Sequence, residues 1–319
     1  MKRFLFILLA TSLLSGCSDD DCPSCPQSPD PAAPALDNIW PHADGTRWTY
    51  DLQHAVHEGL APSEEPPPLP TMAALHAALR QPVTTPQQSL DTGLYRLEFA
   101  GEITSETGIT GQDLVETVYA PIAGETVLRS AARRHEESFL ALVARLRPDL
   151  RATIAERWGV RPGVADKSLA DMGTLFFLGA YVFAAEDTGY YGYGDVSTDH
   201  TWAYLEGDLT PGSSWSLELL GGGSDLWLHG QIWSVGEQEI GGRVHASAVE
   251  VMYLVDLGVQ QEVDEQGNLL GSARSYMYGT TVFVPDVGPV ACVERHVFAG
   301  NELLGEPSQI TETRCTLAP

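Results

Sequence analysis

The chain has 319 residues, 43% of them hydrophobic and 19% charged, which suits a globular protein with a sizeable core. Its 43 acidic side chains against 18 basic ones give a net charge of −25. Such a balance excludes a nucleic acid partner, because phosphates are bound through Lys and Arg clusters, and it favours solubility.

Met1-Lys2-Arg3 is a positive start, Phe4 to Ala10 is apolar, and the run ends at Leu14-Ser15-Gly16-Cys17. A charged start, a short apolar centre and small residues before a cut describe a secretory signal. The apolar stretch is too short to cross a hydrocarbon core of about 30 Å as a helix. Leu14-Ser15-Gly16-Cys17 resembles the lipobox of bacterial lipoproteins. The resemblance implies that residues 1–16 are a signal peptide, removed before Cys17. It also implies a diacylglyceryl group on the Cys17 sulfur and an acyl chain such as palmitate on the new amine. Each buried methylene contributes about 0.8 kcal/mol, so two or three chains fix a protein to a membrane without any protein face. Ser18, where an aspartate would retain such a protein in the inner membrane, favours the outer membrane. Asp19-Asp20-Asp21 resembles surface-export signals, so the periplasmic and outward orientations both stay open.

Residues 17–38 are rich in Asp, Pro, Ser and Ala and read as a tether. Residues 39–319 read as one β-rich domain. Thr46 to Leu52 is the first expected strand, Ala61 to Pro70 a proline loop, and Thr71 to Arg80 a short helix. Leu94 to Ala100 and Asp113 to Ala120 alternate as strands. Residues 130–188 read as a helical insertion. Phe139, Leu142, Val143 and Leu146 share one helical face, and Leu150, Ile154 and Trp158 are four apart. Leu175 to Ala185 is an apolar run of helical length. From Thr201 the pattern is β again, with Val249 to Leu257 and Tyr276 to Val284 alternating around a turn at Asp264 to Asn268. The fold class expected is α+β, mainly antiparallel β, as an open curved sheet or partial barrel with the helical insertion.

Gly45-Thr46-Arg47-Trp48-Thr49-Tyr50-Asp51-Leu52 parallels Gly212-Ser213-Ser214-Trp215-Ser216-Leu217-Glu218-Leu219. Gly101 to Ser105 parallels Gly230 to Ser234. Either a β unit is duplicated, or Gly, hydroxyl, any residue, Trp simply suits a turn entering a strand. Trp40-Pro41 through Tyr50, Thr210 to Trp215, and Phe283 to Val290 also resemble exported β-rich bacterial lipoproteins of no assigned activity. That resemblance speaks for the fold class.

Of five cysteines, Cys17 goes to lipid. An oxidising envelope lets disulfides persist, and Cys292 with Cys315 is the favoured pair. Cys22 and Cys25 have redox-motif spacing but sit in the tether, where a local disulfide or pairing with another chain is the plainer reading. His54 and His57 would share a face only on a helix, so no metal site is assigned. Arg134-His135-Glu136-Glu137 lacks the second histidine of a zinc-protease helix. There is no Gly-x-Ser-x-Gly elbow and no Lys-bearing phosphate loop.

Two features remain. On a strand, Trp227, His229, Gln231 and Trp233 share one face, a candidate surface for a sugar or lipid. Gly189 to Gly194 is a candidate rim for it, or a surface loop. Eight arginines between Arg129 and Arg161 could meet lipid phosphates or pair with acids of the same chain. The expected function is non-enzymatic: an envelope lipoprotein with a structural role or one that binds a small molecule, a glycan or an envelope protein. The alternative is a hydrolase of an envelope or extracellular polymer. No cofactor, metal or catalytic residue is assigned.

Overall fold

The computed structural model describes residues 34–59, 63–65, 67–105, 108–122, 125–130, 140, 143–144, 147, 149–158, 182–193, 201–220, 223–264, 266–298 and 308–319. The signal, the lipobox with Cys17, Cys22, Cys25 and most of the arginine-rich segment lie outside the described residues.

Among the described residues, thirteen antiparallel strands form one sheet. They are β1 (Arg47–Glu58), β2 (Gln87–Thr104), β3 (Thr110–Ile122), β4 (Glu125–Ser130), β5 (Val182–Glu186), β6 (Gly189–Tyr193), β7 (Thr201–Glu206), β8 (Ser214–Glu218), β9 (Trp227–Ile240), β10 (Arg243–Val263), β11 (Leu269–Val284), β12 (Gly288–Phe298) and β13 (Gln309–Leu317). Twelve follow one path, β7-β6-β5-β3-β2-β1-β13-β12-β11-β10-β9-β8, and β4 pairs with β3 beside it. The two ends of the path, β7 and β8, approach each other, so the sheet is a nearly closed barrel. The described helices are α1 (Leu36–Ile39), α2 (Met72–Leu79) and α3 (Arg151–Trp158). The fold is therefore mainly antiparallel β, as expected.

Most of the expected helical insertion lies outside the described residues, and its far end departs from the expectation. Val182–Glu186 is strand, not the end of a buried helix. Gly189–Tyr193 is also strand, not a surface loop or rim, and Tyr190 and Tyr191 are buried. Both segments are apolar enough for either form, and pairing with neighbouring strands decides between them. Leu140, Val143, Ala144 and Ile154 from the helical stretch join the main core.

Trp40 is the centre of that core at one end of the sheet. It lies against Trp48, Phe99, Phe183, Tyr190, Tyr204 and Phe283, at centroid distances of 4.8 to 6.4 Å. Such edge and tilted aromatic pairs add about 0.5–1.5 kcal/mol each beyond area burial.

The two Gly-hydroxyl-x-Trp segments behave alike. Gly45 N–H donates to Phe99 O and Phe99 N–H to Thr46 O; Gly212 N–H donates to Ile232 O and Ile232 N–H to Ser213 O. Both glycines have positive φ, +78° and +93°. Phe99 therefore corresponds to Ile232, four residues from the correspondence that the Gly101 and Gly230 segments suggest. The shared feature is a turn that enters a strand and aims a Trp inward. Trp48 lies over Gly288 and Trp215 over Gly230.

Candidate functional site

One face of the sheet carries Trp48, Tyr50, Tyr95, Tyr253 and Phe283, and is the inner face of the barrel. Alternation along β1 adds Leu52, His54 and Val56 to it. Burial switches along this strand. Trp48 and Tyr50 are buried inward, whereas His54 and Val56 are half-buried and the outward Ala55 and His57 are buried instead. On neighbouring β2, Ser89 and Asp91 are exposed. On β1 and β2 the inner face is thus buried and aromatic at the Trp40 end and more exposed toward the other end, whereas on β10 to β12 the inward Val255, Met277 and Phe298 stay buried there.

Polar side chains line that second end. Glu294 is paired in register with Thr313, Thr313 with His54, and His54 with Asp91. In the other direction Glu294 is paired with Gly279, and Gly279 with Tyr253. One strand position further along, His296 is paired with Thr311 and Thr311 with Val56. Gly279 is required here, because a Cβ on it would come within 2.9 Å of Glu294 Cγ and 2.8 Å of the Val293 carbonyl. The missing side chain gives Glu294 its room.

Glu294 is 2% exposed and His296 3% exposed. His296 Nε2 stands 3.7 Å from Glu294 Oε2, too long for a hydrogen bond, and has no hydrogen-bond partner among the described residues. His54 Nδ1 is 3.0 Å from Thr313 Oγ1, while its buried Nε2 has no hydrogen-bond partner among the described residues either. Burial holds His54 below the usual histidine range, nearby His296 pushes it lower, and Asp91 opposes the shift. His54 is therefore neutral near pH 7. Tyr253, next along the same row, donates its hydroxyl to Tyr204 O at 2.5 Å, and burial raises it well above the usual tyrosine range.

The side chains expected to form a ligand face separate into two groups. Trp227, His229, Gln231 and Trp233 do share the outer face of β9, with Leu228, Gly230 and Ile232 buried beneath. Trp233 is covered by α2, where His76 stacks on it. Trp227 remains 40% exposed, and His229 Nδ1 meets Ser216 Oγ at 2.7 Å on the adjacent strand.

The helix over this face is locked by charge. Its Ala-rich sequence favours helix, and Thr71 caps its start by accepting from Ala74 N–H. His76 Nε2 meets Glu250 Oε1 at 2.9 Å, and Ser234 donates to Glu250 Oε2 at 3.0 Å. Arg295 donates to the Ala78 and Gln81 carbonyls at the end of α2, and to Glu312 at 2.6 Å. Burial would raise Glu312, but hydrogen bonds from Arg314 and Arg295 outweigh it and leave the carboxyl below its usual range.

His54 and His57 do not share a face. β1 sends His57 outward, where Nδ1 meets Thr85 O at 3.3 Å. Among the described residues no group of three or more His, Cys, Asp or Glu could hold one metal ion. Cys292 and Cys315 are joined on the inner face, one register position from Glu294 and Thr313, with Cα atoms 5.0 Å apart.

Sequence reasoning missed Glu294 and His296. The signal was present: Cys292, Glu294, His296 and Phe298 are two apart on one strand, so a cysteine assigned inward carries the other three with it.

No family model and no curated protein matches the chain. Two solved structures resemble it faintly. One is a protein from Bacteroides fragilis NCTC 9343 named for export and a YmcC-like fold, at 8% identity over 86% of this chain and 96% of that one. The other is a protein from Parabacteroides distasonis ATCC 8503 named as a lipoprotein, at 10% identity over 87% and 96%. Both have a TM-score of 0.25, too low to assign fold or function.

Proposed function

We propose that this is a lipoprotein of the bacterial cell envelope, anchored in the outer membrane through lipid on Cys17, whose barrel takes a small ligand at the polar end of its interior. The anchor is supported by Leu14-Ser15-Gly16-Cys17 after a charged and apolar start. The binding role rests on one observation: His296 turns inward, at 3% exposure and beside the buried Glu294, a nitrogen with no hydrogen-bond partner among the described residues. Burying a polar group without a partner costs about 1–3 kcal/mol, so a purely structural barrel would gain by placing an apolar residue there. A ligand that bonds these groups removes that cost when it binds.

A hydrolase reading has less support. Ser216 and Thr313 each meet a histidine Nδ1, but among the described residues no carboxylate is hydrogen-bonded to either imidazole. At these two histidines the described residues supply no orienting acid to complete a nucleophile–base chain.

Two experiments test the proposal. Cys17→Ser should move the protein from salt-washed membranes to the soluble fraction; retention in the membrane would remove the anchor. Native mass spectrometry of the intact protein, extracted in mild detergent, should find a small molecule. That molecule should be lost from His296→Phe while Trp227→Ala keeps it; the opposite pattern would move the site to the outer face of β9.

A further inference from the structure

We propose that the uncovered part of the outer face, around Trp227, binds a neutral glycan. This site is separate from the barrel interior and stands on different residues.

Trp227 opens β9 and is 40% exposed, while Leu228, Gly230 and Ile232 on the other face of the same strand are buried. Its outward neighbours form a shelf two strands wide. In register, Glu218 of β8 stands beside Trp227, Ser216 beside His229, and Ser214 beside Gln231. Trp215, between the two serines, turns inward to Tyr253, so alternation sends both serines outward. Further along the same face, Leu75 and Leu79 of α2 pack over Met252, Leu254 and Tyr278, and His76 on Trp233 marks the border of the covered part. The helix closes the apolar area of this face and stops short of Trp227. From Trp227 to Gln231 the strand rises about 13 Å. That is longer than one pyranose ring, so the shelf suits an oligosaccharide.

The polar groups decide the chemistry of the ligand. The hydroxyls of Ser214 and Ser216 and the carboxamide of Gln231 each donate and accept. Sugar hydroxyls do the same, so each can be met whichever way its hydrogen points. Ser216 Oγ lies 2.7 Å from His229 Nδ1, which fixes the ring and leaves Nε2 for a ligand. A hydroxyl can bond that nitrogen in either tautomer. The exposed indole beside these groups offers a flat surface to the apolar face of a sugar ring.

Charge argues for a neutral glycan. β8 and β9 carry no Lys or Arg. The acids around the shelf are engaged: Glu218 accepts from Ser224 N–H, Asp225 meets Arg147 at 2.5 Å, and Asp256 meets Arg274 at 2.6 Å. An anionic glycan finds no cation on these two strands, and a net charge of −25 repels it. A lipid chain finds a single exposed ring among polar groups, far from the continuous apolar patch that would hold it.

The test uses the intact protein in a sugar-free polyoxyethylene detergent at physiological salt, where long-range charge is screened beyond about 8 Å. Maltohexaose, cellohexaose and chitohexaose are titrated by saturation-transfer NMR, with hexagalacturonate as the anionic comparison. At least one neutral hexaose should bind with a Kd below about 1 mM, and hexagalacturonate at least about tenfold more weakly. Trp227→Ala should weaken the neutral hexaose at least about tenfold, with Trp227→Phe and Gln231→Ala weakening it by about threefold. Should Trp227→Ala lose its fold, the other two variants still carry the test. If none of the three neutral hexaoses binds, or if hexagalacturonate binds as well as they do, the assignment falls. Full binding by the folded Trp227 variants places any glycan elsewhere and overturns it too. The interior reading is decided apart, by the molecule that His296→Phe loses in native mass spectrometry.

Discussion

The His76 imidazole lies nearly parallel to the Trp233 indole, with ring centroids 4.0 Å apart and an interplanar angle of 25°. This contact joins α2 to the outer face of β9 and puts one end of the aromatic row under a helix. The same imidazole bonds Glu250, so one side chain serves both packing and charge. His76→Ala removes the stack, worth about 0.5–1.5 kcal/mol, and leaves Glu250 short of a buried partner, at about 1–3 kcal/mol. Urea unfolding should show a loss of about 2–3 kcal/mol, and the double variant with Trp233→Ala should lose less than the sum of the two single variants. Strict additivity would mean that the rings are near each other without interacting.

The strands were legible because alternation leaves a direct mark. Val249, Val251, Tyr253, Val255 and Leu257 declare a buried face, and all five are buried. The start of α2 was legible from its cap and composition. The strand character of Val182–Glu186 and Gly189–Tyr193 was not. A short apolar or Tyr-Gly run has no period that separates helix from strand, and only long-range pairing chooses. The inner site was half legible. Parity places Glu294 and His296 beside Cys292, yet nothing local says that Thr313, His54 and Asp91 complete their row. That depends on the register of four strands across more than two hundred residues. Trp233 shows the reverse limit: its face was read correctly, while the helix that covers it comes from far earlier in the chain.

Arg295 is the second fastening of α2. Its guanidinium reaches Ala78 O at 2.8 Å, Gln81 O, and Glu312 Oε2 at 2.6 Å from a buried position. A helix end left with unmet carbonyls is unfavourable, and a cation there also meets the helix dipole. Arg295→Ala should cost about 3–5 kcal/mol, the usual range for breaking a buried charge network. Arg295→Lys should recover less than half, since one ammonium cannot reproduce a planar fork. Hydrogen exchange should show the amides of α2 losing protection before those of β10. Simultaneous loss would mean that the arginine supports the whole sheet and not the helix.

Gly230 makes a third site of close fit. A Cβ there would stand 2.1 Å from Trp215 Cε2 and 2.2 Å from Cζ2. The indole is itself held against the inner face, 6.3 Å from Tyr253 in an edge contact, so it has little room to move. Gly230→Ala should destabilise by about 1–3 kcal/mol through overpacking. The companion variant Trp215→Leu, by freeing the space, should make Gly230→Ala nearly neutral in the same denaturation assay. A full penalty in both backgrounds would show that backbone conformation, not the indole, demands glycine.

The last expectation concerns acid. Burial lowers His54 from its ordinary value of 6.5, His296 lowers it further, and Asp91 works against both. The folded state therefore favours the neutral imidazole more than the unfolded chain does. Above pH 6.5 both states are neutral and the group has no effect on stability. As pH falls through that value the unfolded chain takes up a proton first, so stability declines until the folded imidazole is protonated too. Unfolding free energies measured from about pH 7.5 down to about 5 should fall in the wild-type protein. In His54→Gln the slope over this window should be shallower, because glutamine can meet Thr313 and takes no proton. A slope unchanged in His54→Gln would assign the acid response to other groups and leave His54 uncoupled from His296.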